Sequence, residues 1–233
     1  MFQQKGHNMK SVTIDNVISF HPCWLHEPDG RDRLRALAAC REHWTALDCI
    51  DDLPQRGVSS ADILWLILRP ELIDEDVLHS LACDFAQAAV DRYWTPHYPK
   101  DNRPQNAIDA KRKWLKSKTK DNFSAMERAE RYANNAAAST SDYARQAAWS
   151  AASASSTLMS YYVTSSSANL ASTEAAFSDY KNIATIRKEQ LAHVRNVLTN
   201  KGKMSWTRKL LSIISCRQWK QTILAIIKRH LQP

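Results

Sequence analysis

The sequence ANNAAASTSDYARQAAWSAASASSTLMSYYVTSSSANLASTEAA occupies residues 133–176, and 29 of its 44 residues are Ala, Ser or Thr. It lies within a longer tract, Gln105 to Lys201, whose 97 residues include neither Gly nor Pro. Because Ala is the strongest helix former and both helix breakers are absent, this half of the chain is predicted to be helical. A single straight helix of that length would reach about 145 Å, whereas a compact chain of this size is about 45 Å across. The tract must therefore fold back on itself.

The polar clusters of the tract predict where it folds back. We expect breaks at Lys116–Asn122, Ser139–Asp142 and Thr164–Ser167, and hence three further helices. Small side chains allow these helices to pack closely, while isolated large residues such as Tyr132 and Trp149 are predicted to fill the gaps between them. The predicted fold class is all-α, either a multi-helix bundle or a short irregular helical solenoid with long, antiparallel Ala/Ser-rich helices.

The first hundred residues predict shorter helices. Thr13 is a suitable N-cap for a helix that His21-Pro22 ends, and Asp32 opens a helix whose apolar spacing continues through Trp44 and Leu47. The six apolar residues Ile63–Leu68 have no candidate partner strand, which favours a buried helix. Asp74 begins the clearest amphipathic helix.

Length and composition indicate a globular protein. With 233 residues and 44% hydrophobic content the chain can bury a core. Five widely spaced Cys predict a reducing cytoplasm, and neither a secretory signal nor a membrane span is expected. We divide the chain into an N-terminal segment with a short helix (1–30), a helical domain (31–201) and a basic amphipathic C-terminal helix (202–233).

The positive charge is concentrated in the last segment. The formal charge of the whole chain is +8, and residues 201–233 contain eight Lys or Arg and no acid, so residues 1–200 balance at 24 basic against 24 acidic. This segment can pack its apolar side on the bundle, contact an acidic protein or nucleic acid, or lie on a membrane, which its broken apolar face disfavours. The residues predicted to contact an anionic partner are Lys201, Lys203, Trp206, Arg208, Lys209, Arg217, Trp219, Lys220, Lys228 and Arg229.

Catalytic chemistry has one weak candidate. Asp101 and Arg103 could act in a cleft with His97 as a base, but a helix start explains them better: Asp101 caps, Arg103 pairs locally and Pro104 occupies the first turn. The sequence shows no Gly-rich phosphate loop, nucleophile elbow or paired carboxylates. We therefore predict no catalytic residue, no cofactor and no enzyme activity.

Metal-ligand residue types cluster near the N-terminus. They are His21, Cys23, His26, Cys40 and His43. Tetrahedral zinc needs four converging ligands, and the H-x-C-x-x-H spacing of the first three matches no common zinc module. We predict no metal site.

Three segments followed by the Ala-rich tract resemble a known family. They are LRALAACRE at 34–42, ILWL at 63–66 and DNRPQNAI at 101–108. In this order they resemble the immunity protein family of all-helical, Ala-rich proteins in bacterial polymorphic-toxin loci and phage genomes, over roughly Leu34 to Asn200. The family motif corresponds to Asp101, Arg103, Pro104, Ala107, Ile108 and Trp114.

This resemblance implies a function by binding. A family member would be a cytoplasmic, non-enzymatic protein that neutralises a toxin or another effector by occupying its surface, in bacterial immunity or phage counter-defence. The alternative prediction is a nucleic-acid-associated protein that uses the basic C-terminal helix.

Overall fold

The described part of the chain is helical apart from one very short sheet, which confirms the predicted all-α fold. A computed structural model describes residues 10–22, 30–38, 41–140, 144–156, 162–170 and 180–200. The chain divides into two compact units, Met1–Arg195 and Asn196–Pro233. Of the second unit, residues 196–200 are described.

The N-terminal elements are short. They are β1 (Ser11–Val12), α1 (Ile14–Ser19), α2 (Gly30–Ala38), β2 (Trp44–Thr45) and α3 (Ala46–Asp52), followed by a 3-10 turn (Pro54–Arg56). The strands pair antiparallel, with Ser11 opposite Thr45 and Val12 opposite Trp44. Thr13 caps α1 as predicted, since its side chain accepts a hydrogen bond from the Asn16 N–H.

The predicted single helix from Asp32 through Leu47 is wrong. The helix α2 ends at Ala38, and α3 begins at Ala46 after the β2 strand. The Thr45 hydroxyl accepts from the Asp48 N–H at 3.2 Å, while the Asp48 carboxylate accepts from the Thr45 N–H at 2.9 Å. This capping box starts a new helix. Apolar spacing could not reveal this helix start. The side chain of Trp44 is buried, as it would also be on the apolar side of one continuous helix.

The next two helices agree with prediction. The helix α4 (Ser60–Ile67) begins after Ser59, whose hydroxyl accepts from the Asp62 N–H, and it buries Ile63, Leu64 and Ile67. The helix α5 (Glu75–Ala89) begins after Asp74 and continues into a π-helical turn (Val90–Trp94). Both are mainly buried on one side, as apolar periodicity requires.

The Gly- and Pro-free tract forms long helices. They are α6 (Arg103–Lys116), α7 (Lys120–Ala138), α8 (Ala144–Ser155), α9 (162–170) and α10 (Tyr180–Thr199). The helices α6, α7 and α8 pack against one another, and α5 packs on α6 and α8. Consecutive helices are thus neighbours in space, as in a bundle.

Alanines form the contact between three of these helices. Ala107 of α6, Ala133 of α7 and Ala152 of α8 form one buried cluster, and Ala129 packs against it. Side chains of one carbon allow three helix backbones to approach closely. This confirms the role predicted for the small residues.

The third predicted break, at Thr164–Ser167, is wrong. These residues lie inside α9, and α8 ends earlier, at Ser155. The reason is that the hydroxyls face other helices: Thr164 donates to the Leu78 carbonyl at 2.9 Å and is fully buried. The tract therefore contains four helices after α6 in the described part, α7 to α10, where three were predicted.

Serine hydroxyls also join α8 to α9. The Ser150 hydroxyl donates to the Ser167 carbonyl at 3.1 Å, and the Ser167 hydroxyl donates to the Ser150 carbonyl at 3.3 Å. The Ser155 hydroxyl instead donates to carbonyls of its own helix, those of Ala151 and Ala152. Serine hydroxyls in this tract thus form hydrogen bonds both between helices and within one helix.

The gap-filling role predicted for Tyr132 is wrong. Its side chain is 58% exposed, whereas Trp149 is half-buried. Tyr132 precedes Ala133, which occupies the helix interface, and one residue is a rotation of about 100° around a helix. The small residue is inside, so its large neighbour faces solvent.

Polar contacts attach α10 to several elements of the first unit. Its Arg195 guanidinium donates to the Asp51 carboxylate at 2.7 Å, and the Gln190 amide donates to the Ala168 carbonyl at 2.9 Å. Ile186, Leu191 and Val194 are buried. The last helix therefore combines a narrow apolar stripe with widely spaced polar contacts.

Candidate functional site

The family-motif residues Asp101 and Arg103 build the start of α6. The Arg103 guanidinium donates to both carboxylate oxygens of Asp101, with Nη2–Oδ2 at 2.6 Å and Nε–Oδ1 at 2.9 Å. The Arg103 N–H also donates to Asp101 Oδ1 at 3.1 Å. Hydrogen bonding to Arg103 holds the pKa of Asp101 below its ordinary value. The local pairing of Asp101 with Arg103 is as predicted, whereas the N-cap position of α6 is Asn102, and among the helix N–H groups the Asp101 carboxylate accepts only from the first.

The remaining motif residues lie along α6, from Pro104 in its first turn to Trp114 in its last turn. Pro104, Ala107 and Ile108 are buried, and Trp114 is half-buried. The Trp94 indole donates to the Asp101 carbonyl at 2.7 Å. His97 is exposed, and no described contact joins its ring to Asp101 or Arg103. The described geometry does not bring these three side chains together as a catalytic group.

The candidate metal ligands are only partly described. His21 and His43 are exposed, while Cys23, His26 and Cys40 lie outside the described residues. Within the described ranges, no group of three or more His, Cys, Asp or Glu is placed to hold a metal ion. Burial raises the pKa of both described cysteine thiols, Cys49 and Cys83, to about 12, so both remain protonated near neutral pH.

The predicted contact residues of the C-terminal segment, from Lys201 to Arg229, all lie outside the described residues. Among the helices of the described ranges, none is long and apolar enough to cross a bilayer.

A buried lysine, Lys111, is a feature that the sequence did not predict. Its side chain has no solvent exposure, and its Nζ donates to the Ser156 carbonyl at 2.8 Å. The ammonium also lies 4.7 Å from the ring centre of Trp114. Burial lowers the pKa of Lys111 from 10.5 to about 8. The sequence signal that could have indicated this burial is the position of Lys111 on the apolar stripe between Ile108 and Trp114.

His79 and Glu130 belong to the same region. The His79 ring meets Trp114 edge-to-face at 6.4 Å, and burial lowers the pKa of His79 to about 4. Burial raises the pKa of Glu130, while the Lys111 charge opposes that shift. These groups lie together at the junction of α5, α6, α7 and the end of α8.

A polar network connects α5, α6 and α10 around the largely buried carboxylate of Asp84. Its Oδ2 lies 3.0 Å from His193 Nε2, and its Oδ1 accepts from Arg112 at 3.3 Å. Arg112 also donates to Gln87 at 2.9 Å, and Gln87 bonds to Gln105 at 2.7 Å. The network positions helices, because its members bond to one another across α5, α6 and α10.

Replacement of Asp84 by Ala is expected to lower the free energy of unfolding by about 1–2 kcal/mol, because two charged or polar partners lose their acceptor. Urea denaturation measures the change. Asp109→Ala is the control, since Asp109 is exposed and reaches the network only at its edge, through Gln105 at 3.1 Å and Arg112 at 4.0 Å. Equal losses in the two variants would contradict the assignment.

An apolar cavity of about 60 Å³ lies between α1, α2, β2, α3 and α4. It is lined mainly by aliphatic and aromatic side chains, among them Leu34, Trp44 and Trp65. A cavity that holds benzene measures about 150 Å³. The volume is therefore small for a metabolite.

The bend between α6 and α7 exposes a group of lysines. We define the lysine bend as Lys113, Lys116, Lys118 and Lys120, all exposed. Residues 110–120 contain six Lys or Arg and no Asp or Glu. Sequence reasoning missed this group because it averaged charge over residues 1–200; a count in a window of about ten residues would have found it.

The outer face of α7, toward its end, exposes a second group. We define the α7 face as Arg128, Arg131, Tyr132, Asn134 and Asn135, all exposed. At 3.6 residues per turn, positions 128, 131, 132 and 135 are neighbours three or four residues apart. They form one continuous surface.

No family model, curated protein or solved structure matches this chain. The resemblance to the immunity protein family therefore stays a prediction from the sequence.

Proposed function

We propose that this chain is a non-enzymatic protein-binding inhibitor, immunity-like or of phage counter-defence type, that neutralises a toxin or another effector by stoichiometric binding. The observation that carries the proposal is the α7 face. Its tyrosine is 58% exposed, and only one other large hydrophobic side chain of the described residues, Tyr162, is similarly exposed.

The composition of the α7 face suits a protein interface. Tyr and Arg are enriched among the residues that dominate binding energy, and asparagine adds adaptable hydrogen bonds. The guanidinium groups of Arg128 and Arg131 form no hydrogen bond or ion pair with another described residue. Arginine can bind a carboxylate through two parallel hydrogen bonds. The partner surface is therefore expected to be acidic.

The contacts of the other candidate residues agree with a binding role. Asp101 and Arg103 are engaged with each other, and Lys111 donates to a backbone carbonyl. The small apolar cavity leaves little space for a substrate. Because these groups are engaged in local structure, we place the proposed binding function on the exposed α7 face.

The test is purification of the full chain from its native host, identification of a co-eluting protein and reconstitution of the pair from purified components. Arg128→Glu/Arg131→Glu is expected to weaken the reconstituted complex by about tenfold or more, because both carboxylate contacts become repulsive. Titration calorimetry gives the affinity and the stoichiometry.

The matched control is Lys100→Glu/Lys188→Glu, which changes the net charge equally at two exposed lysines outside the α7 face. It is expected to retain the affinity. Elution of the chain without any stoichiometric partner would refute the proposal, as would equal losses in the two variants. If the partner is a toxin, the wild-type chain should suppress its activity at equimolar ratio.

A further inference from the structure

We propose that the lysine bend is a nucleic-acid-binding surface that contacts phosphate groups in a sequence-independent manner. This site is separate from the α7 face and from the C-terminal segment. The proposal stands independently of the proposed protein-binding function.

Many cationic side chains of the described residues pair with an acid, whereas most lysines of the bend do not. Arginines of the described ranges pair with acids as follows: Arg35 with Asp32, Arg41 with Asp48 and Asp52, Arg92 with Glu189, Arg103 with Asp101, Arg112 with Asp84, and Arg195 with Asp51. In contrast, the side chains of Lys113, Lys116 and Lys120 form no hydrogen bond or ion pair with a described residue. Three positive charges are thus uncompensated at one bend.

The fourth lysine is only loosely paired. Lys118 Nζ lies 2.7 Å from the Asp76 carboxylate, and the two side chains are 50% and 67% exposed. An ion pair so exposed contributes little and can exchange for a phosphate. Two further acids lie near the bend: Asp121, in the first turn of α7, and Asp109, four residues before Lys113 on α6. The excess of lysine determines the sign of the local potential.

Hydrogen bonds hold the backbone of the bend in place. The Asn122 side chain donates to the Ser117 carbonyl at 2.8 Å, and the Thr119 hydroxyl accepts from the Asn122 N–H at 3.3 Å. Trp114, at the same end of α6, packs edge-to-face with Phe123 of α7. The lysines therefore extend from a fixed backbone, which reduces the entropic cost of binding.

The bend suits phosphate better than a protein or a membrane. Lysine is depleted in protein interfaces, whereas it binds phosphate as a mobile point charge. A membrane surface site needs apolar side chains that insert into lipid. The large exposed hydrophobic residues of the described part are Tyr132 and Tyr162, and neither belongs to the bend.

The test measures the affinity of the full chain for a short labelled DNA, single-stranded and duplex, by fluorescence anisotropy between about 50 and 200 mM salt. Lys116→Glu/Lys120→Glu is expected to weaken binding about tenfold at the lowest salt. The slope of log affinity against log salt should fall by about 1.5, since two phosphate contacts are lost.

Lys100→Glu/Lys188→Glu is the control with the same net charge, and it should change the affinity less than about threefold. No DNA binding by the wild-type chain, or equal losses in the two variants, would overturn the proposal. So would poly-glutamate or anionic lipid vesicles competing as strongly as DNA. Arg128→Glu/Arg131→Glu should retain most DNA binding, so the failure of this proposal can be distinguished from failure of the protein-binding function.

Discussion

Replacing Ala133 by leucine is expected to lower the free energy of unfolding by about 1–3 kcal/mol, the usual cost of inserting methylene groups into a packed core. Ala133 is fully buried and contacts alanines of two other helices, Ala107 and Ala152. A leucine there must push helix backbones apart, because no side chain at the contact is long enough to move aside. Chemical denaturation measures the loss.

Ala138→Leu is the matched control, because Ala138 lies on the same helix and is exposed. Its expected effect is within about 0.5 kcal/mol. If both leucine variants unfold at the same denaturant concentration as the wild type, close packing through alanine does not stabilise this bundle.

The second large effect is a pH dependence caused by Lys111. Burial lowers its folded-state pKa from 10.5 to about 8. Between these values the unfolded chain binds a proton that the folded chain does not, so stability rises with pH across this window. From pH 7 to pH 10 the wild type is expected to gain about 2–3 kcal/mol relative to Lys111→Met, at 1.36 kcal/mol per pKa unit.

The comparison of the wild type with Lys111→Met isolates the titration of the Lys111 amine. His79, with a pKa lowered to about 4, and Cys83, with a pKa raised to about 12, titrate outside this window, so their coupling to the Lys111 charge does not affect the comparison. Lys100→Met, at an exposed position, is the control and should follow the wild type. Parallel stability curves for the wild type and Lys111→Met would show that Lys111 is charged at no cost in the folded protein.

The parts of the fold that depend on neighbouring residues could be predicted from the sequence. Thr13 and Asp74 precede the helices that they were expected to begin, and the bidentate pair of Asp101 and Arg103 spans two positions. In each case the interacting residues lie within a few positions of one another, so the local sequence is sufficient to predict where the helix begins.

The errors arose where contacts are distant in sequence. Thr164 donates to Leu78, 86 residues away, so its polarity marks a helix contact and not a loop. Trp44 pairs with Val12 in a two-stranded ribbon that interrupts an otherwise helical pattern. Neither partner can be identified from local periodicity.

The candidate surfaces were missed for a related reason. Lys113 to Lys120 lie in a segment whose charge cancels against acids elsewhere in the first 200 residues, yet electrostatic potential is local. Lys111 was predicted neither as buried nor as titratable, because a lysine on an apolar stripe is usually extended to solvent. Burial of Lys111 between the helices lowers its pKa, and this burial depends on tertiary packing.

The order of helices has a consequence for how the chain acquires its structure. The alanine contact joins residues 107, 133 and 152, which belong to one continuous stretch, so it requires only short loops to close. In contrast, His193 and Arg195 reach partners 109 and 144 residues earlier. During synthesis from the ribosome, the three-helix alanine contact can therefore assemble before the last helix emerges, and α10 completes the bundle afterwards.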